Sequence, residues 1–518
     1  MNKTSDGNSV PVETELKLQL LPEHIARLRS SSVLSQSVPE TFELDNIYYD
    51  TSDHLLHRHA MALRLRKVGG RWFQTLKTQG IARGSVRDRG EWETPARVVR
   101  RRGRIDVARF VKSPLTSLLA QHPGRSSLVP IFRTHVTRTV WSIQRGPTSV
   151  EVALDVGEIE AEHQQQMLRE AICEIELELK GGPRNGELVL LDLALELIDA
   201  NGRAPLALVP VTRSKAERGY QLVSGKRPSA VKASAKAIIG RISRRATSAT
   251  ALRSLVSAGL AVLSANVEYL LRHDDAEFVH QARVALRRIR SAARLLDRKE
   301  RDMPQALTDE LRWLAHTLGE ARDWDVITHQ TLPSLAEGLG ADAISALIAK
   351  AEERRRRVRE RVLNSVRSAR YAALVLSGEC WCMTPPLANA KLLEALAARR
   401  LDSASKKLLK AARFFSALDP ERRHQVRILG KRLRYALDLF AVVLPKQATA
   451  RYVDALSELQ DVLGQMNDAS VAIAVLPKLS RSRAIRQSMQ TWLLSIEPER
   501  VRDAETKLLA LSKLDAPW

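Results

Sequence analysis

The sequence predicts an α+β protein in which a first part built of antiparallel strands precedes an all-α second part. Two observations predict this division. Before about residue 225, short alternating runs lie between turn signals such as Gly69-Gly70 and Asn201-Gly202, a pattern typical of strands. After it, long segments rich in Ala, Leu, Arg and Glu follow a helical period and contain few glycines. Residues 223–244 are predicted to link the two parts.

The composition excludes several other classes of protein. The chain of 518 residues is long enough for several domains, and its hydrophobic share of 44% is typical of globular proteins. It contains no run of about 18 apolar residues, so no membrane-spanning helix is predicted. Residues 1–10 carry no signal-peptide core and are predicted to be flexible. Three cysteines exclude a disulfide framework and fit a reducing cytoplasm.

The net charge of +23 is unevenly distributed along the chain. Residues 1–229 contain 33 basic and 27 acidic side chains, a net charge of +6, whereas residues 230–518 contain 49 and 32, a net charge of +17. The second part is therefore expected to bind a polyanion, which could be a nucleic acid, an anionic membrane or a phosphate polymer.

The predicted strands of the first part carry clusters of like charges. Along residues 173–180, three glutamates and a lysine share one face and three aliphatic residues the other. A half-buried sheet with a solvated polar face is one interpretation, but like charges on neighbouring strands repel each other. Carboxylates suit Mg²⁺ or Mn²⁺, and Arg and Lys suit phosphate oxygens. A closed barrel with its charges inside and its apolar residues outside, covered by helices, would satisfy the pattern.

The ordered series of these charged residues resembles the CYTH family, the triphosphate tunnel metalloenzymes. The resemblance covers residues 11–222 and begins with Glu13-x-Glu15-x-Lys17. It implies an eight-stranded antiparallel tunnel that binds a triphosphate together with Mg²⁺ or Mn²⁺, and catalytic roles for Glu13, Glu15 and Lys17. The substrate ligands it implies are Lys17, Arg64, Arg66, Lys77, Arg89, Arg133 and Lys215. The metal ligands it implies are Glu13, Glu15, Asp155, Glu174 and Glu176.

The second part contains an internal repeat. Residues 280–290 resemble residues 424–434 at an offset of 144, and residues 318–323 resemble residues 463–468 at an offset of 145. A duplicated helical bundle is therefore predicted. In each copy a histidine and three basic residues recur at offsets 0, +3, +7 and +10, which fall on one side of a helix. This pattern is typical of an anion-binding surface. Two other interpretations are a basic helix face that is simply solvated, and histidines that are hydrogen-bonded in the core.

These segments resemble the CHAD family, the conserved histidine α-helical domains, over residues 245–510, with residues 511–518 as a tail. The second copy departs from the motif, because Asn467 stands where the first copy has Arg322. The resemblance implies two pseudo-symmetric four-helix bundles whose basic surface binds inorganic polyphosphate. The polyphosphate ligands it implies are His280, Arg283, Arg287, Arg288, Arg290, His424, Arg427, Lys431 and Arg434.

Together the two resemblances imply a metal-dependent inorganic triphosphatase that cleaves tripolyphosphate to pyrophosphate and phosphate, and whose helical part binds long-chain polyphosphate. The alternatives are a non-enzymatic polyphosphate-binding adaptor and a tunnel enzyme for another triphosphate, either a class IV adenylate cyclase or a thiamine triphosphatase. Specific nucleic-acid binding is not expected, because no aromatic residue for base stacking interrupts residues 279–302. No membrane partner is expected. The expected location is the cytoplasm, where polyphosphate binding would allow association with polyphosphate granules.

We predict that Glu15→Gln removes most of the metal-dependent hydrolysis of tripolyphosphate. A bound metal supplies several kcal/mol of transition-state stabilisation, so losing one of its carboxylate ligands should lower turnover by orders of magnitude. Phosphate release at saturating Mg²⁺ or Mn²⁺ measures this. Full activity of the variant would contradict the assignment of Glu15.

Overall fold

A closed antiparallel barrel and a set of long helices make up the computed structural model. It describes residues 12–99, 102–123, 127–183, 186–199, 205–240, 242–296, 302–335, 341–480 and 482–518. Residues 1–10, predicted to be flexible, lie outside the described residues. The chain divides into two compact units. Unit 1 comprises residues 1–229 and 367–380, and unit 2 comprises residues 230–366 and 381–518.

The barrel in unit 1 is built from eight of the described strands. Their order around the barrel is β1-β11-β10-β9-β2-β3-β4-β6, and the antiparallel pairing of β6 with β1 closes it. Two short strands extend it, β5 beside β6 and β12 beside β1, while β7 and β8 pair only with each other. The strands are β1 (Val12–Gln19), β2 (Glu40–Thr51), β3 (Met61–Val68), β4 (Arg71–Thr78), β5 (Ile81–Arg83), β6 (Val86–Pro95), β7 (Arg97–Val99), β8 (Arg102–Arg104), β9 (Leu128–Arg145), β10 (Thr148–His163), β11 (Gln166–Gly181) and β12 (Val209–Pro210).

Helices cover the apolar outer face of the barrel. Leu16 of β1 and Leu177 of β11 are fully buried, and helix α4 packs on these two strands through residues such as Leu190 and Leu193. On these two strands the apolar residues lie outside, as the predicted inversion requires, whereas apolar residues such as Leu44 and Val136 also line the cavity. The helices of this region are α1 (Ile25–Arg29), α2 (Leu55–Arg58), α3 (Pro114–Gln121), α4 (Glu187–Asp199) and α5 (Lys215–Ser224).

The second part of the chain is helical, as predicted. Helices α7 to α10 pack in sequence as one set of four, and α12 to α15 as another, with α8 contacting α13 between the sets. Each set contains one copy of the repeat. The helices are α6 (Ala235–Ile239), α7 (Ser248–Leu270), α8 (Ala276–Leu296), α9 (Gln305–Val326), α10 (Ala341–Val366), α11 (Ala369–Met383), α12 (Leu393–Ala411), α13 (Pro420–Phe440), α14 (Lys446–Leu479) and α15 (Arg483–Ser512).

Helix α7 is the most apolar long helix of the described chain. It is the only described helix long and apolar enough to cross a membrane, with a mean hydropathy of 1.3 over its most apolar stretch. In the structure 67% of that stretch is buried, and α7 packs along α8. This burial is typical of the core helix of a bundle.

We predict that Gly157→Ala destabilises the barrel. A Cβ atom at residue 157 on β10 would lie 1.9 Å from the carbonyl oxygen of His135 and 2.8 Å from Cα of Val136, both on β9. Overpacking of this kind costs about 1–3 kcal/mol of unfolding free energy. Gly181→Ala on β11 is the matched control, because its Cβ would meet no atom within 4 Å. Equal midpoints of urea denaturation for the two variants would contradict the prediction.

Candidate functional site

The barrel encloses a cavity of about 570 Å³ whose wall is rich in charged side chains. Side chains alternate along each strand, so every second residue points into it. The lysines and arginines of its wall are Lys17, Arg58, Arg64, Arg66, Lys77, Arg87, Arg89, Arg138, Lys180 and Lys215. The acidic residues are Glu13, Glu91, Glu93, Glu151, Asp155, Glu176, Glu178 and Glu217.

A first group of ion pairs joins strands β1, β4 and β6. Lys77 Nζ lies 2.6 Å from Glu13 Oε2 and 3.2 Å from Glu91 Oε1. Burial acts to raise the pKa of Glu13, but the ammonium of Lys77 outweighs it and holds that pKa below its ordinary value. Glu13 therefore remains ionised inside the barrel at neutral pH.

Glu15 and Lys17 continue this network along β1. Glu15 Oε2 lies 2.8 Å from Lys17 Nζ, and Glu15 Oε1 lies 2.6 Å from Arg89 Nη2. Lys17 also pairs with Glu176 on β11. The three predicted catalytic residues, Glu13, Glu15 and Lys17, thus share one buried face of β1.

A second group surrounds the ammonium of Lys215, the first residue of α5. Its Nζ lies 2.7 Å from Asp155 Oδ2, 2.5 Å from Glu174 Oε1 and 2.9 Å from Glu176 Oε1. Arg138 donates to both oxygens of Asp155, at 2.7 and 2.6 Å, and to Glu176 at 2.5 Å. Burial alone would lower the pKa of Lys215, but the three carboxylates raise it above its ordinary value.

The same three carboxylates could hold a metal ion. Ligand oxygens of Asp155, Glu174 and Glu176 all lie within 4.8 Å of one another. A donor set of carboxylate oxygens fits a hard divalent cation. In this structure the ammonium of Lys215 contacts all three carboxylates, a position that such a cation could take over. Of the other predicted metal ligands, Glu15 is joined to this group through Lys17, whereas Glu13 is held by Lys77.

The β3 side of the cavity carries an arginine whose charge is incompletely compensated. Arg64 and Arg89 pair with Glu91 and Glu15, although their Nε atoms are buried without a hydrogen-bond partner. Burial and the neighbouring Arg64 and Arg138 lower the pKa of Arg66 to about 10. A buried cation that is repelled by its neighbours is stabilised by any anion that enters between them. This side of the cavity is therefore suited to an anionic ligand.

Arg133 is the exception among the predicted substrate ligands. The alternation along β9 points Val136 and Arg138 into the cavity and places Arg133 on the outer face, where it is exposed. The prediction for Arg133 is therefore wrong, and Arg138 occupies the inward position. Residues 133 and 138 lie on opposite faces of this strand, and both are arginines. Charge alone therefore could not show which of them faces the cavity.

Sequence reasoning missed the anchor that fixes α5 at the cavity. Asp50 Oδ2 accepts a hydrogen bond from Tyr220 Oη at 2.7 Å and from the His57 backbone N–H at 2.9 Å. The His57 ring stacks on the Tyr220 ring, with centroids 4.0 Å apart. This anchor holds α5, and with it Lys215, against the barrel. In the sequence Asp50 stands out only as part of a turn signal.

In unit 2, two basic helices meet at a central basic cluster, which consists of Arg283 and Arg287 of α8 and Arg427 and Lys431 of α13. Burial and then the charges of Arg427, Arg287 and Arg283 lower the pKa of Lys431 to about 7. The Nε atoms of Arg287 and Arg427 are buried and have no hydrogen-bond partner. Asp468 offsets only part of the repulsion. The two predicted stripes therefore come together, and their cations repel each other.

Two further predicted polyphosphate ligands are held in contacts within the protein. Arg288 Nη1 lies 2.7 Å from Asp438 Oδ2, and Arg288 Nε donates to the Ala233 carbonyl oxygen at 2.9 Å. Arg434 donates to Ser457 Oγ. Arg288 and Arg434 are therefore less available to an anion than the central basic cluster.

The remaining predicted ligands lie along the same helices. The ring of His424 is exposed, and its Nδ1 lies 2.7 Å from Asn467 Oδ1. Burial and then the charge of Arg322 lower the pKa of His280. Burial and then Arg294 lower the pKa of Arg290 in the same way. The charge of Arg322 thus acts on His280 in the first copy, whereas in the second copy a neutral amide lies beside His424.

Comparisons with known proteins agree with this division. The CYTH domain model matches residues 12–209 and the CHAD domain model matches residues 254–477. The chain therefore carries a CYTH domain followed by a CHAD domain. An inorganic triphosphatase of Haemophilus influenzae is 31% identical over 223 residues, which are 41% of this chain and 55% of that protein. The match thus spans about half the length of this relative.

Solved structures are also similar to parts of this chain. The CHAD domain from the plant Ricinus communis is 28% identical, covers 56% of this chain and 99% of its own, and gives a TM-score of 0.48. A Hippeastrum protein, described as an adenylyl cyclase candidate with a dominant triphosphatase activity, is 20% identical. It covers 41% of this chain and 96% of its own, with a TM-score of 0.27.

We predict that Arg66→Ala weakens the binding of inorganic tripolyphosphate by roughly tenfold or more, because a hydrogen bond to a charged group contributes about 1.5–3 kcal/mol. Calorimetric titration in the presence of Mg²⁺ measures this affinity. Arg133→Ala is the matched control and should leave it unchanged, since Arg133 lies outside the cavity. An equal loss of affinity in both variants would mean that the anion does not bind inside the barrel.

Proposed function

We propose that this protein is a metal-dependent inorganic triphosphatase that hydrolyses tripolyphosphate to pyrophosphate and phosphate. One observation carries the proposal: a closed barrel holds Arg66, a cation repelled by its neighbours, together with three clustered carboxylates. A chain of phosphates and a divalent cation together match this charge distribution. The name of the Haemophilus influenzae relative, an inorganic triphosphatase, agrees with it.

The chemistry requires no nucleophilic side chain. Phosphoryl transfer depends mainly on positioning and on neutralising the charge of the phosphates. Arg64 and Arg66 of β3 and Arg138 of β9 would grip the phosphate oxygens, since all three are buried cations that face the cavity. Mg²⁺ or Mn²⁺, when bound by Asp155 and its two neighbouring glutamates, would polarise phosphate oxygens and offset their charge. The closed barrel would keep bulk water away from the reacting groups.

The substrate can be identified with a panel of triphosphates. Phosphate release is measured on tripolyphosphate, ATP and thiamine triphosphate with Mg²⁺ or Mn²⁺, and Glu15→Gln serves as the matched inactive variant. The proposal expects tripolyphosphate to be cleaved with the highest kcat/KM. Faster cleavage of thiamine triphosphate, or formation of cyclic AMP from ATP, would assign the tunnel to one of the other enzymes. No turnover of any substrate would favour a non-enzymatic adaptor.

We further propose that unit 2 binds long-chain polyphosphate through the central basic cluster and so keeps the enzyme close to its polymer. Burial and then the repulsion by neighbouring arginines lower the pKa of Lys431, and a polyanion would relieve that repulsion. A cytoplasmic location at polyphosphate granules belongs to the same proposal.

We predict that replacing Arg283, Arg287, Arg427 and Lys431 with Gln weakens the binding of long-chain polyphosphate to the full-length protein. Arg66→Ala is included in all variants so that the tunnel contributes little. The control replaces four exposed residues, Arg354, Arg356, Arg357 and Lys407, and removes the same charge. Displacement of a labelled polyphosphate probe measures affinity, which should fall steeply with added salt, as it does for other polyanions.

Two outcomes would contradict polyphosphate binding at the cluster. Equal affinity of the cluster variant and the control variant would mean that only overall charge matters. Displacement of the probe by duplex DNA at the same phosphate concentration as polyphosphate would indicate a general cationic surface.

A further inference from the structure

The carboxylate of Glu379 is buried and faces the turn between β5 and β6. Glu379 is 1% exposed and belongs to the segment 367–380 of unit 1. Its Oε2 accepts a hydrogen bond from the Ser85 backbone N–H at 3.0 Å, and its Oε1 accepts one from Ser85 Oγ at 2.8 Å. Burial raises the pKa of Glu379 to about 7, and the two hydrogen bonds from Ser85 only partly oppose this. Within the described parts of the chain, no basic side chain pairs with it.

The β5–β6 turn is shaped around this carboxylate. Gly84 has a φ of +67°, which side chains other than glycine rarely adopt. A Cβ atom at residue 84 would lie 2.7 Å from Glu379 Cδ. Ser85 is 4% exposed, so both of its donors would lack water if the carboxylate were absent.

The turn leads directly into the seam that closes the barrel. Val86 pairs with Leu16 and Arg87 pairs with Glu15, so Ser85 immediately precedes the paired part of β6. Arg87 and Arg89 then point into the cavity, and Arg89 reaches Glu15. A shift of the turn would therefore move both arginines relative to β1.

We propose that Glu379 is a positioning residue for the tunnel. By holding Ser85, it fixes the start of β6 and thereby the inward positions of Arg87 and Arg89. The inference rests on the proposed function, because those arginines would contact substrate phosphates. Glu379 lies outside residues 12–209, which the CYTH domain model matches, so the tunnel uses a residue from beyond its own sequence segment.

The test compares Glu379→Ala, Glu379→Gln and Ser85→Ala in the full-length protein, with Glu394→Gln as the control for loss of an exposed carboxylate. Glu379→Ala should raise KM for tripolyphosphate several-fold while the metal requirement stays unchanged. Glu379→Gln should recover part of the loss, because its amide oxygen can still accept from the Ser85 N–H. Hydrogen exchange of a peptide covering residues 80–90 should be faster in Glu379→Ala than in the control.

A double-mutant cycle decides whether the two residues act through each other. Adding Ser85→Ala to Glu379→Ala should change KM and the exchange rate little further, because Ser85 has already lost the carboxylate of Glu379. Additive effects, or a KM and an exchange rate in Glu379→Ala equal to those of the control, would overturn the proposal. If the wild-type protein does not cleave tripolyphosphate, the proposed function fails, whereas the exchange at residues 80–90 still tests Glu379. If Glu379→Ala does not fold, Glu379→Gln and Ser85→Ala provide the same comparison.

Discussion

The structure of unit 1 depends on the burial of charges of both signs inside a closed barrel. Moving an ion out of water costs several kcal/mol unless a partner compensates for it. Lys215 meets this requirement with three carboxylates, and Arg138 does so with Asp155 and Glu176. Because the strands turn their charges inward, they turn their apolar residues outward. Helices such as α4 therefore complete a hydrophobic core on the outer face of the barrel, while a second apolar cluster, which includes Tyr48, Val136 and Tyr220, lies at the cavity.

The balance of charge differs between the two functional regions, although the physics is the same. Inside the barrel, carboxylates neutralise most of the cations, and the excess positive charge is confined to the neighbourhood of Arg66. In the central basic cluster, burial and then the charges of Arg427 and Arg287 lower the pKa of Lys431 to about 7, and Asp468 opposes this only in part. The barrel is thus suited to one short anion accompanied by a cation. The cluster is suited to a longer anion that binds without an accompanying cation.

The sequence predicts the faces of the strands better than it predicts which face is inside. On β11 the choice is clear, because Ile175 and Leu177 alternate with glutamates. On β9 arginines occur at both parities, and only the closed barrel shows that Arg138 points inward and Arg133 outward. The repeat in the second part predicts the meeting of two basic helices, since each copy carries the same pattern.

Side-chain contacts between residues distant in sequence cannot be predicted from local sequence patterns. Arg288 lies on the basic helix α8, but it donates a hydrogen bond to the carboxylate of Asp438, which is 150 residues away in sequence. Ser85 and Glu379 are separated by 294 residues, and neither belongs to a motif. Only the tertiary structure brings such pairs together, because local spacing carries no information about them.

Helix α11 is shared between the two compact units of the chain. Its residues up to 380 belong to the compact unit of the barrel, and its last residues belong to the helical unit. A gene rearrangement that cut the chain at the linker would separate two complete family segments and still remove Glu379 from the barrel. Residue 379 thus contacts the barrel, although it is encoded within the segment that the CHAD domain model matches. An exchange of either part would therefore leave Ser85 without this carboxylate.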